Sequence, residues 1–300
     1  LITIGSAYSM LGRHAEGRPL LARARRIVEE NGPTSLLLRA LSNAYLLEAD
    51  EDMAKAWELG LEAHALATRL GELTRVANKH LLPVGSWPMI YYPLQLLQLA
   101  GIRDVLLVTG KGHAGQMIDL LGDGRLAPRG GGDPILELDL TYKVQTEPGG
   151  IAQVVGMASD FAAGAPLVVV LGDNIFEFAQ SEVLRNWAAS STRAHIFVKE
   201  VEDPENFGVV VYDEEGEVAD IVEKAGVVDT RYDAPPSSDA VVGLYCYPPD
   251  VFGIIRGLAP SSRGELEITD VNRAYAEQGR LRSARVGGWW RDAGTHEALG

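Results

Sequence analysis

The sequence predicts two regions of different fold class, an all-α segment over residues 1 to about 70 and an α/β domain over residues 71–300. Three observations carry this prediction. Apolar residues in the first region recur at steps of three and four, which is the period of a helix. From about Leu73 onwards, short runs rich in β-branched residues are separated by glycine-containing turns and predicted helices. Strands that alternate with helices in this way are typical of a doubly wound α/β layer.

Composition is ordinary for a soluble globular chain and narrows the classes of function. The length of 300 residues predicts about two domains. Since 46% of the residues are apolar and 23% are charged, each domain can bury a hydrophobic core. The 27 Lys and Arg against 41 Asp and Glu leave a net charge of -14, so we expect no nucleic-acid and no membrane partner. Because Cys246 is the single cysteine, an internal disulfide and a multi-cysteine zinc site are excluded. We expect it to be a small core residue of a cytoplasmic protein.

The first region is predicted to form helical hairpins. Met53, Trp57 and Leu61 lie on one helix face, which needs a neighbour to bury it. The Ala-Tyr pair at residues 7–8 returns 37 residues later at 44–45, and this spacing resembles tetratricopeptide-like repeats. A generic helical bundle or cap explains the same pattern. In the repeat interpretation, these helices would bind a protein partner.

The second region contains the elements of a mixed sheet. Two segments, DVLLVT and LVVVL, are nearly continuous apolar runs, the pattern of strands buried on both faces of a mostly parallel sheet. A predicted helix precedes each of them. Farther along, an Asp-Glu-Glu-Gly turn separates two β-rich runs and predicts an antiparallel hairpin. The predicted elements are a helix over about 90–100, a strand over 104–109, a helix over about 151–161, a strand over 167–171, and hairpin strands over 209–212 and 218–222.

A series of sequence blocks, in order, carries a family resemblance from about residue 68 to residue 300. The second region resembles the sugar nucleotidyltransferases of the glucose-1-phosphate thymidylyltransferase type. The resemblance implies a Rossmann-like mixed-sheet core with a sugar-binding region. It also implies the conversion of dTTP and glucose 1-phosphate to dTDP-glucose and pyrophosphate. The blocks are NKHLLPV at 78–84, PMIYYP at 88–93, LAGIRDVLLVT at 99–109, GGIAQ at 149–153, LGDNIF at 171–176, GELEITD at 264–270 and WRDAGT at 290–295.

Such a reaction needs local neutralisation of charge. A sugar phosphate oxygen attacks the α-phosphorus in line while pyrophosphate leaves, so the protein must hold two polyanions together. A carboxylate pair that binds Mg2+ is the usual device, since magnesium prefers oxygen ligands. Asp173 follows the predicted strand at 167–171, where the carboxyl end of a strand opens onto the ligand crevice. The resemblance implies that Asp173 and Asp292 are the magnesium ligands; the alternative for Asp173 is a turn or helix-cap aspartate.

The resemblance also implies roles for charged residues around the substrates. Lys79 would contact the α-phosphate region, Glu223 the sugar hydroxyls and Lys224 the sugar phosphate. Ala225 stands where the family has proline, which removes a fixed backbone dihedral directly after the Glu-Lys pair. The competing interpretations are an exposed lysine for Lys79 and a plain surface ion pair for the Glu-Lys pair.

Glycine and amide residues match the sugar and base positions of the family. Gly208 resembles the glycine whose backbone lets the sugar approach closely. Gln145, Pro148 and Gly150 resemble the base-recognition stretch, and an amide can pair with the donor and acceptor edge of a pyrimidine. The sequence leaves open whether the nucleotide is dTTP or UTP, and whether the chain forms a homo-oligomer.

One stretch departs from the family pattern. The family begins with a buried strand and a glycine-rich loop that wraps the nucleotide phosphates. Arg69, which would meet the leaving pyrophosphate, is kept, but residues 61–67 (LEAHALA) contain no glycine and favour a helix. We therefore expect the α/β core to lack its usual first strand.

Two functions from different classes stay open at this point. The first is a cytoplasmic, magnesium-dependent sugar-1-phosphate nucleotidyltransferase, which the matched carboxylates and cations favour. The second is a catalytically degraded fusion that acts as a binding or scaffolding protein, which the replaced glycine loop favours. A metal hydrolase is disfavoured, because the six histidines show no ligand spacing such as His-x-x-x-His.

Overall fold

The computed structural model describes most of the predicted α/β domain and one helix of the preceding region. Described are residues 14–31, 41, 79–81, 83–84, 87–127, 134–177, 180–188, 192–225 and 227–293. Contacts group them into two compact units, of which the larger consists of Pro93–Leu126 and Pro134–Ala293. The smaller unit takes in the other described residues, up to Tyr92 together with Ala127. The predicted domain boundary at residue 70, Arg69 and the glycine-free stretch 61–67 lie outside the described residues.

Helices and strands alternate through the described residues. The helices are α1 (His14–Asn31), α2 (Tyr91–Leu99), α3 (Ala114–Leu121), α4 (Ile151–Met157), α5 (Ser159–Ala162), α6 (Gln180–Ala188), α7 (Val251–Gly257) and α8 (Ile268–Glu277). The strands are β1 (Pro83–Val84), β2 (Trp87–Pro88), β3 (Asp104–Gly110), β4 (Arg125–Leu126), β5 (Leu136–Glu137), β6 (Asp139–Gln145), β7 (Leu167–Val170), β8 (Asn174–Phe176), β9 (Ala194–Glu200), β10 (Gly208–Tyr212), β11 (Val218–Glu223), β12 (Asp239–Tyr247), β13 (Leu281–Arg285) and β14 (Trp290–Asp292). Short 3-10 helices cover Lys79–Leu81 and Pro204–Asn206.

The smaller unit contains α1 and a short hairpin. Helix α1 agrees with the predicted helical character of the first region. Strands β1 and β2 pair antiparallel, with Val84 opposite Trp87. The hydroxyl of Tyr92 donates to the carbonyl of Val84, and the amide of Ile90 donates to the carbonyl of His80 at 2.9 Å. These bonds tie the short helix at Lys79–Leu81 to the start of α2.

The larger unit is built on a six-stranded mixed sheet. Its order is β11-β10-β12-β9-β13, and β7 pairs with the second half of β12. Ala240 of β12 lies between Val209 and Lys199, whereas Cys246 lies between Val168 and His195. Strands β10 and β7 therefore follow one another along the same side of β12. The β13–β9 pair is parallel and the other pairs are antiparallel.

Helices cover both faces of this sheet. The side chains of β12 therefore alternate between two cores. Tyr245 and Tyr247 pack on one face with residues of α4, α7 and α8. Leu244 and Cys246 pack on the other face with residues of α2 and α6. The prediction that Cys246 is a core residue is confirmed, and burial raises the pKa of its thiol. Among the described helices, none combines the length and the apolar character that a membrane span requires.

Two-stranded sheets complete the larger unit. Strand β3 pairs with β6 in parallel, β4 with β5 and β8 with β14 in antiparallel. The predicted helix before β3, the strands at 104–109 and 167–171, and the hairpin are all confirmed. Three features differ from the prediction. The helix at 151–161 is divided into α4 and α5 at Ala158, and β6 is a strand that the sequence does not predict.

The third difference concerns the burial of β7. The apolar run predicts burial on both faces of a mostly parallel sheet, but all four residues of the strand are half-buried and it pairs antiparallel with β12. Within the described residues, β12 is its one strand partner.

Candidate active site

Two carboxylates meet where β8 pairs with β14. Asp292, the last residue of β14, stands opposite Asn174, the first residue of β8. The amide of Ala293 donates to the carbonyl of Asp173 at 2.8 Å, which extends the ladder by one bond beyond the strands. The two predicted magnesium ligands, Asp173 just before β8 and Asp292 at the end of β14, therefore lie at the same end of this ladder, and both are half-buried.

Asn174 holds this carboxylate pair against the main sheet. It is buried, and its amide donates to Oδ1 of Asp173 at 3.2 Å. Its Oδ1 accepts from the backbone amide of Gly243 at 3.0 Å and from the indole of Trp290 at 2.9 Å. A side chain at Gly243 would put its Cβ 2.7 Å from the Asn174 amide, so glycine is required for this close approach. One buried amide thus connects β8, β12 and β14.

A third carboxylate stands at the end of the β10–β11 hairpin. Glu223, the last residue of β11, pairs in register with Gly208, the first residue of β10. The hydroxyl of Thr269 in α8 donates to its Oε1 at 2.5 Å. A Cβ on Gly208 would lie 2.7 Å from the same oxygen. The glycine therefore leaves room for the Glu223 carboxylate, and the sugar approach that the resemblance implies for Gly208 stays a prediction.

Tyr245 lies in the buried middle layer of the main sheet, on β12. Burial raises the pKa of its phenol, and the negative charges of Glu223, Asp173 and Asp292 raise it further. The hairpin and the carboxylate pair are also joined by Phe207 and Trp290, whose rings meet edge to face at 5.9 Å.

Lys224 follows Glu223 in an uncommon backbone conformation. Its φ of 42° lies in the left-handed region, which L-residues other than glycine seldom adopt. The side chain is exposed. Its backbone amide donates to the carbonyl of Phe207 at 3.1 Å, which fastens the turn to the start of β10. The structure thus brings Glu223, Lys224 and Gly208 together at one end of the hairpin.

The predicted base-recognition stretch is a separate, well-ordered corner of the same unit. Gln145 ends β6, and its amide donates to Oε1 of Gln153 at 2.7 Å. Gly150 has a φ of 86°, and a Cβ there would lie 2.3 Å from the backbone oxygen of Leu266. Leu266 also donates to the carbonyl of Gly149 at 2.9 Å. The stretch is docked, backbone to backbone, on the segment that leads into α8.

That segment connects the corner to Glu223. Arg263 donates to both carboxylate oxygens of Glu267 at 2.9 and 3.0 Å. This bond holds the pKa of Arg263 above its ordinary value, and the Glu223 carboxylate also contributes. Helix α8 begins directly after Glu267 and carries Thr269. This segment therefore joins the corner to Glu223.

The remaining predicted site residues are placed as follows. Pro148 is exposed in the loop before α4. Lys79 is half-buried at the start of a 3-10 helix in the smaller unit. Arg69 lies outside the described residues.

Four residues of this site are not predicted from the sequence: Asn174, Tyr245, Arg263 and Thr269. Asn174 and Thr269 lie inside blocks that carry the family resemblance, and Arg263 directly precedes one, so proximity to the blocks is the signal that could have found them. Tyr245 lies within the apolar run of β12, where an aromatic residue is expected as core. Its role depends on contacts between distant strands, which no local pattern contains.

Asp173 and Asp292 are the two carboxylates to which the resemblance assigns a metal ion. Among the residues that the structure describes, no group of three or more His, Cys, Asp or Glu side chains is placed to hold a metal ion. Asp173 and Asp292 alone supply two carboxylates, which suits an ion that takes its other ligands from water and phosphate oxygens.

Comparisons with known proteins agree with this architecture. Residues 66–300 match the family model described as nucleotidyl transferase. A glucose-1-phosphate thymidylyltransferase from Xanthomonas campestris is 42% identical over 77% of this chain and 74% of its own length. One from Neisseria meningitidis is 41% identical over 77% of this chain and 76% of its own length. A Bacillus anthracis protein assigned to the same activity, crystallised with sucrose, is 39% identical and superimposes with a TM-score of 0.67, covering 78% of this chain and 88% of that one.

These matches span the strands and turns on which Asp173, Glu223 and Asp292 lie. They confirm the resemblance that the sequence blocks indicate. The chain belongs to the nucleotidyl transferase family, in its group of sugar nucleotidyltransferases of the glucose-1-phosphate thymidylyltransferase type.

Proposed function

We propose that the chain is a magnesium-dependent sugar-1-phosphate nucleotidyltransferase that forms dTDP-glucose and pyrophosphate from dTTP and glucose 1-phosphate. The observation that carries the proposal is the pairing of β8 with β14, which brings Asp173 and Asp292 to the same end of one ladder. A third carboxylate, Glu223, belongs to the hairpin that also presents Lys224. The relatives named above supply the substrate pair.

In the proposed reaction, an oxygen of the sugar phosphate forms a bond to the α-phosphorus of the nucleotide. The bond from that phosphorus to the bridging oxygen breaks, and its electron pair leaves with pyrophosphate. No proton transfer to a protein group is needed for this exchange. Catalysis then consists of holding two anions in line and offsetting their repulsion.

Each group in the site has a task in this scheme. Glu223, held by Thr269, accepts hydrogen bonds from sugar hydroxyls. Lys224 neutralises the sugar phosphate, and Lys79 and Arg69 neutralise the nucleotide phosphates. Gln145 reads the edge of a pyrimidine, and the backbone of Pro148 and Gly150 limits the space beside it. These assignments follow the family resemblance residue by residue.

The residues present fit a magnesium ion. Asp173 and Asp292 offer two hard oxygen ligands at the same end of one ladder, and Asn174 fixes the direction of one of them. When bound, magnesium would offset the negative charge that the two phosphate groups bring together.

The cellular setting follows from the substrates. Nucleoside triphosphates and sugar phosphates are present inside the cell, so the proposal includes a cytoplasmic location. It also includes formation of a homo-oligomer and binding of a protein partner by the N-terminal helices.

A pyrophosphate-release assay tests the proposed function. The full chain is mixed with magnesium and with dTTP, UTP or dATP, in the presence and absence of glucose 1-phosphate. We expect release to require the sugar phosphate and to be at least about tenfold slower with dATP, because a pocket for one ring excludes a purine. Equal rates with dATP would contradict the assignment of Gln145. Binding of dTTP without any release would instead favour a degraded enzyme that acts as a binding protein.

A further inference from the structure

The turn that follows Glu223 and Lys224 is closed by backbone hydrogen bonds in a strained conformation. The carbonyl of Lys224 accepts from the amides of Val227 and Val228 at 3.0 and 2.9 Å. The amide of Asp229 donates to the carbonyl of Glu223 at 3.0 Å. Among the described residues other than glycine, Lys224 and Ala163 alone have positive φ. Because such a conformation is unfavourable for lysine, the surrounding structure must hold it in place.

Apolar packing holds only the base of this turn. Ala225 is buried in a small cluster with Val209 and Val222. At the tip, Val227 is 77% exposed and Val228 is 57% exposed. Side chains that face solvent to this extent contribute little burial on folding. The tip is therefore held by something other than a hydrophobic core.

An ion-pair network supplies that restraint at Asp229. Its side chain is only 9% exposed, and Arg231 donates to both of its oxygens at 2.9 and 2.6 Å. Arg273 donates to Oδ2 at 2.8 Å. The guanidinium of Arg273 also pairs with Asp220 at 2.9 Å and donates to the backbone oxygen of Ile221. A buried carboxylate with two arginine partners fixes the end of the turn far better than a single surface pair.

Arg273 comes from the same helix that orients Glu223. Helix α8 carries Thr269, which donates to the Glu223 carboxylate, and Arg273, which reaches Asp229 on the other side of the turn. One rigid element thus fixes the residue before Lys224 and the residue that closes the turn after it. The direction in which the Lys224 side chain leaves the backbone is set between these two anchors.

We propose that Asp229 and Arg273 are positioning residues, whose ion pair keeps Lys224 in its left-handed conformation and aims its ammonium group at the sugar phosphate. The inference rests on the proposed function, since it takes Lys224 to be the sugar-phosphate residue. Neither Asp229 nor Arg273 needs to touch the substrate. Substituting them should therefore weaken the binding only of ligands that contain the sugar phosphate. A merely structural role would weaken the binding of every ligand of the site.

Calorimetric titration of the full chain with two ligands tests this distinction. We compare dTDP-glucose, which contains the sugar phosphate, with dTTP, which does not. For Asp229→Asn we expect the Kd of dTDP-glucose to rise about tenfold and that of dTTP to change by less than about twofold. The matched control is Asp213→Asn, because Asp213 accepts the amide of Glu217 at 2.8 Å in the turn at the opposite end of the same hairpin. It should leave both Kd values unchanged.

A double-mutant cycle gives the sharper criterion. If Asp229 acts through Lys224, then Asp229→Asn has no further effect once Lys224→Ala has removed the ammonium group. Additive effects of the two substitutions on the Kd of dTDP-glucose would overturn the proposal. An equal loss of affinity for both ligands in Asp229→Asn would overturn it as well.

Two further results separate this inference from the proposed function. A parent chain that binds neither ligand would overturn both. A parent that binds dTDP-glucose but releases no pyrophosphate would contradict only the activity, and the cycle still decides the positioning role. Should Asp229→Asn fail to fold, Arg273→Gln replaces it, since it removes the other member of the proposed ion pair and the Arg273 side chain is 27% exposed. It should raise the Kd of dTDP-glucose about threefold and spare dTTP, and no change would overturn the proposal.

Discussion

The carboxylate pair and the Lys224 turn are held by different forces. Asp173 and Asp292 are fixed by a strand ladder and by the buried amide of Asn174. The Lys224 turn is fixed at its tip by the charges of Asp229 and its arginine partners. Backbone ladders keep their geometry when a side chain is neutralised, whereas an ion-pair restraint is lost with either charge. Substitutions of the carboxylate pair should therefore affect the chemical step, and substitutions in the Lys224 turn should affect the position of the lysine.

The corner at Gly150 resembles the carboxylate pair, because backbone contacts hold both. Its contact with Leu266 is made between main chains, without any charged group. A substitution can break that contact only by adding volume.

Neutralising the carboxylate pair should cause the largest loss. For Asp173→Asn or Asp292→Asn we expect kcat to fall about 10²- to 10³-fold, because a group that offsets charge in the transition state is lost. The strand ladder persists, so the thermal midpoint should stay close to that of the parent. Steady-state kinetics and thermal unfolding measure the two quantities.

The double variant gives this prediction its sharpest form. Residues that act as one unit are strongly non-additive, so Asp173→Asn with Asp292→Asn should be little worse than the more severe single variant. Asp123→Asn, which alters an exposed aspartate that accepts the amide of Arg125 at 3.1 Å, is the control for kcat. Multiplied effects in the double variant would mean that the two carboxylates work separately.

A side chain at Gly150 should cause the second largest effect. In Gly150→Ala the new Cβ meets the Leu266 backbone oxygen at 2.3 Å, and backbone cannot give way as a flexible side chain would. We expect a loss of about 3 kcal/mol of stability and a rise of more than tenfold in the KM for dTTP. Urea unfolding and initial rates measure these changes.

Gly164→Ala is the matched control for this substitution. Gly164 has a φ of 83°, nearly that of Gly150, but beyond its chain neighbours no atom lies within 4 Å of the place that an alanine methyl would occupy. It should cost only the backbone penalty of about 1 kcal/mol and leave the KM for dTTP unchanged. Equal effects of the two substitutions would mean that the contact with Leu266 does not position the corner.

A smaller effect is expected at Gly208. The Cβ of Gly208→Ala would lie 2.7 Å from Oε1 of Glu223 and would displace it from Thr269. Loss of one charge-assisted hydrogen bond of about 1 to 2 kcal/mol should raise the KM for glucose 1-phosphate roughly fivefold to thirtyfold. Gly257→Ala, which has open space around it, is the control. An unchanged KM for glucose 1-phosphate would place the sugar away from Glu223.

The smallest effect concerns pH and the charge-held turn. The hydrogen bonds from Arg231 lower the pKa of Asp229 to about 2, against an ordinary value near 3.9. A lowered pKa stabilises the folded state above the ordinary value, and this contribution is lost as pH falls towards 2. The urea midpoint of the parent should therefore exceed that of Asp229→Asn at pH 6, and the gap should narrow towards pH 3. A gap that does not depend on pH would contradict the ionic restraint.

Local patterns predict most of the secondary structure of the larger unit. The strands at 104–109 and 167–171 and the hairpin are visible because apolar runs and turn residues encode them directly. Strand β6 is not predicted from the sequence. Its residues DLTYKVQ mix polar and apolar side chains, and none of them is fully buried. The direction in which a strand pairs is a tertiary property, so the residues of β7 do not reveal its antiparallel pairing with β12.

The site is predictable where a block of sequence carries it. Asp173 and Asp292 are far apart along the chain, and before the ladder between β8 and β14 is seen, only the family resemblance joins them. Asn174, Tyr245 and Thr269 take their importance from contacts across the fold, so no spacing rule reveals them. The restraint of Lys224 by Asp229 and Arg273 likewise depends on how a helix packs against a turn.

The most direct test of the account is phosphorus NMR of the full chain with magnesium, dTTP and glucose 1-phosphate. We predict that dTDP-glucose and pyrophosphate appear in equal amounts. The same sample made with Asp173→Asn should form both at least about a hundredfold more slowly, because one member of the carboxylate pair is neutral. Phosphate signals that stay unchanged in the parent, or product formation at the parental rate in Asp173→Asn, would contradict the assignment of this site as a nucleotidyltransferase centre.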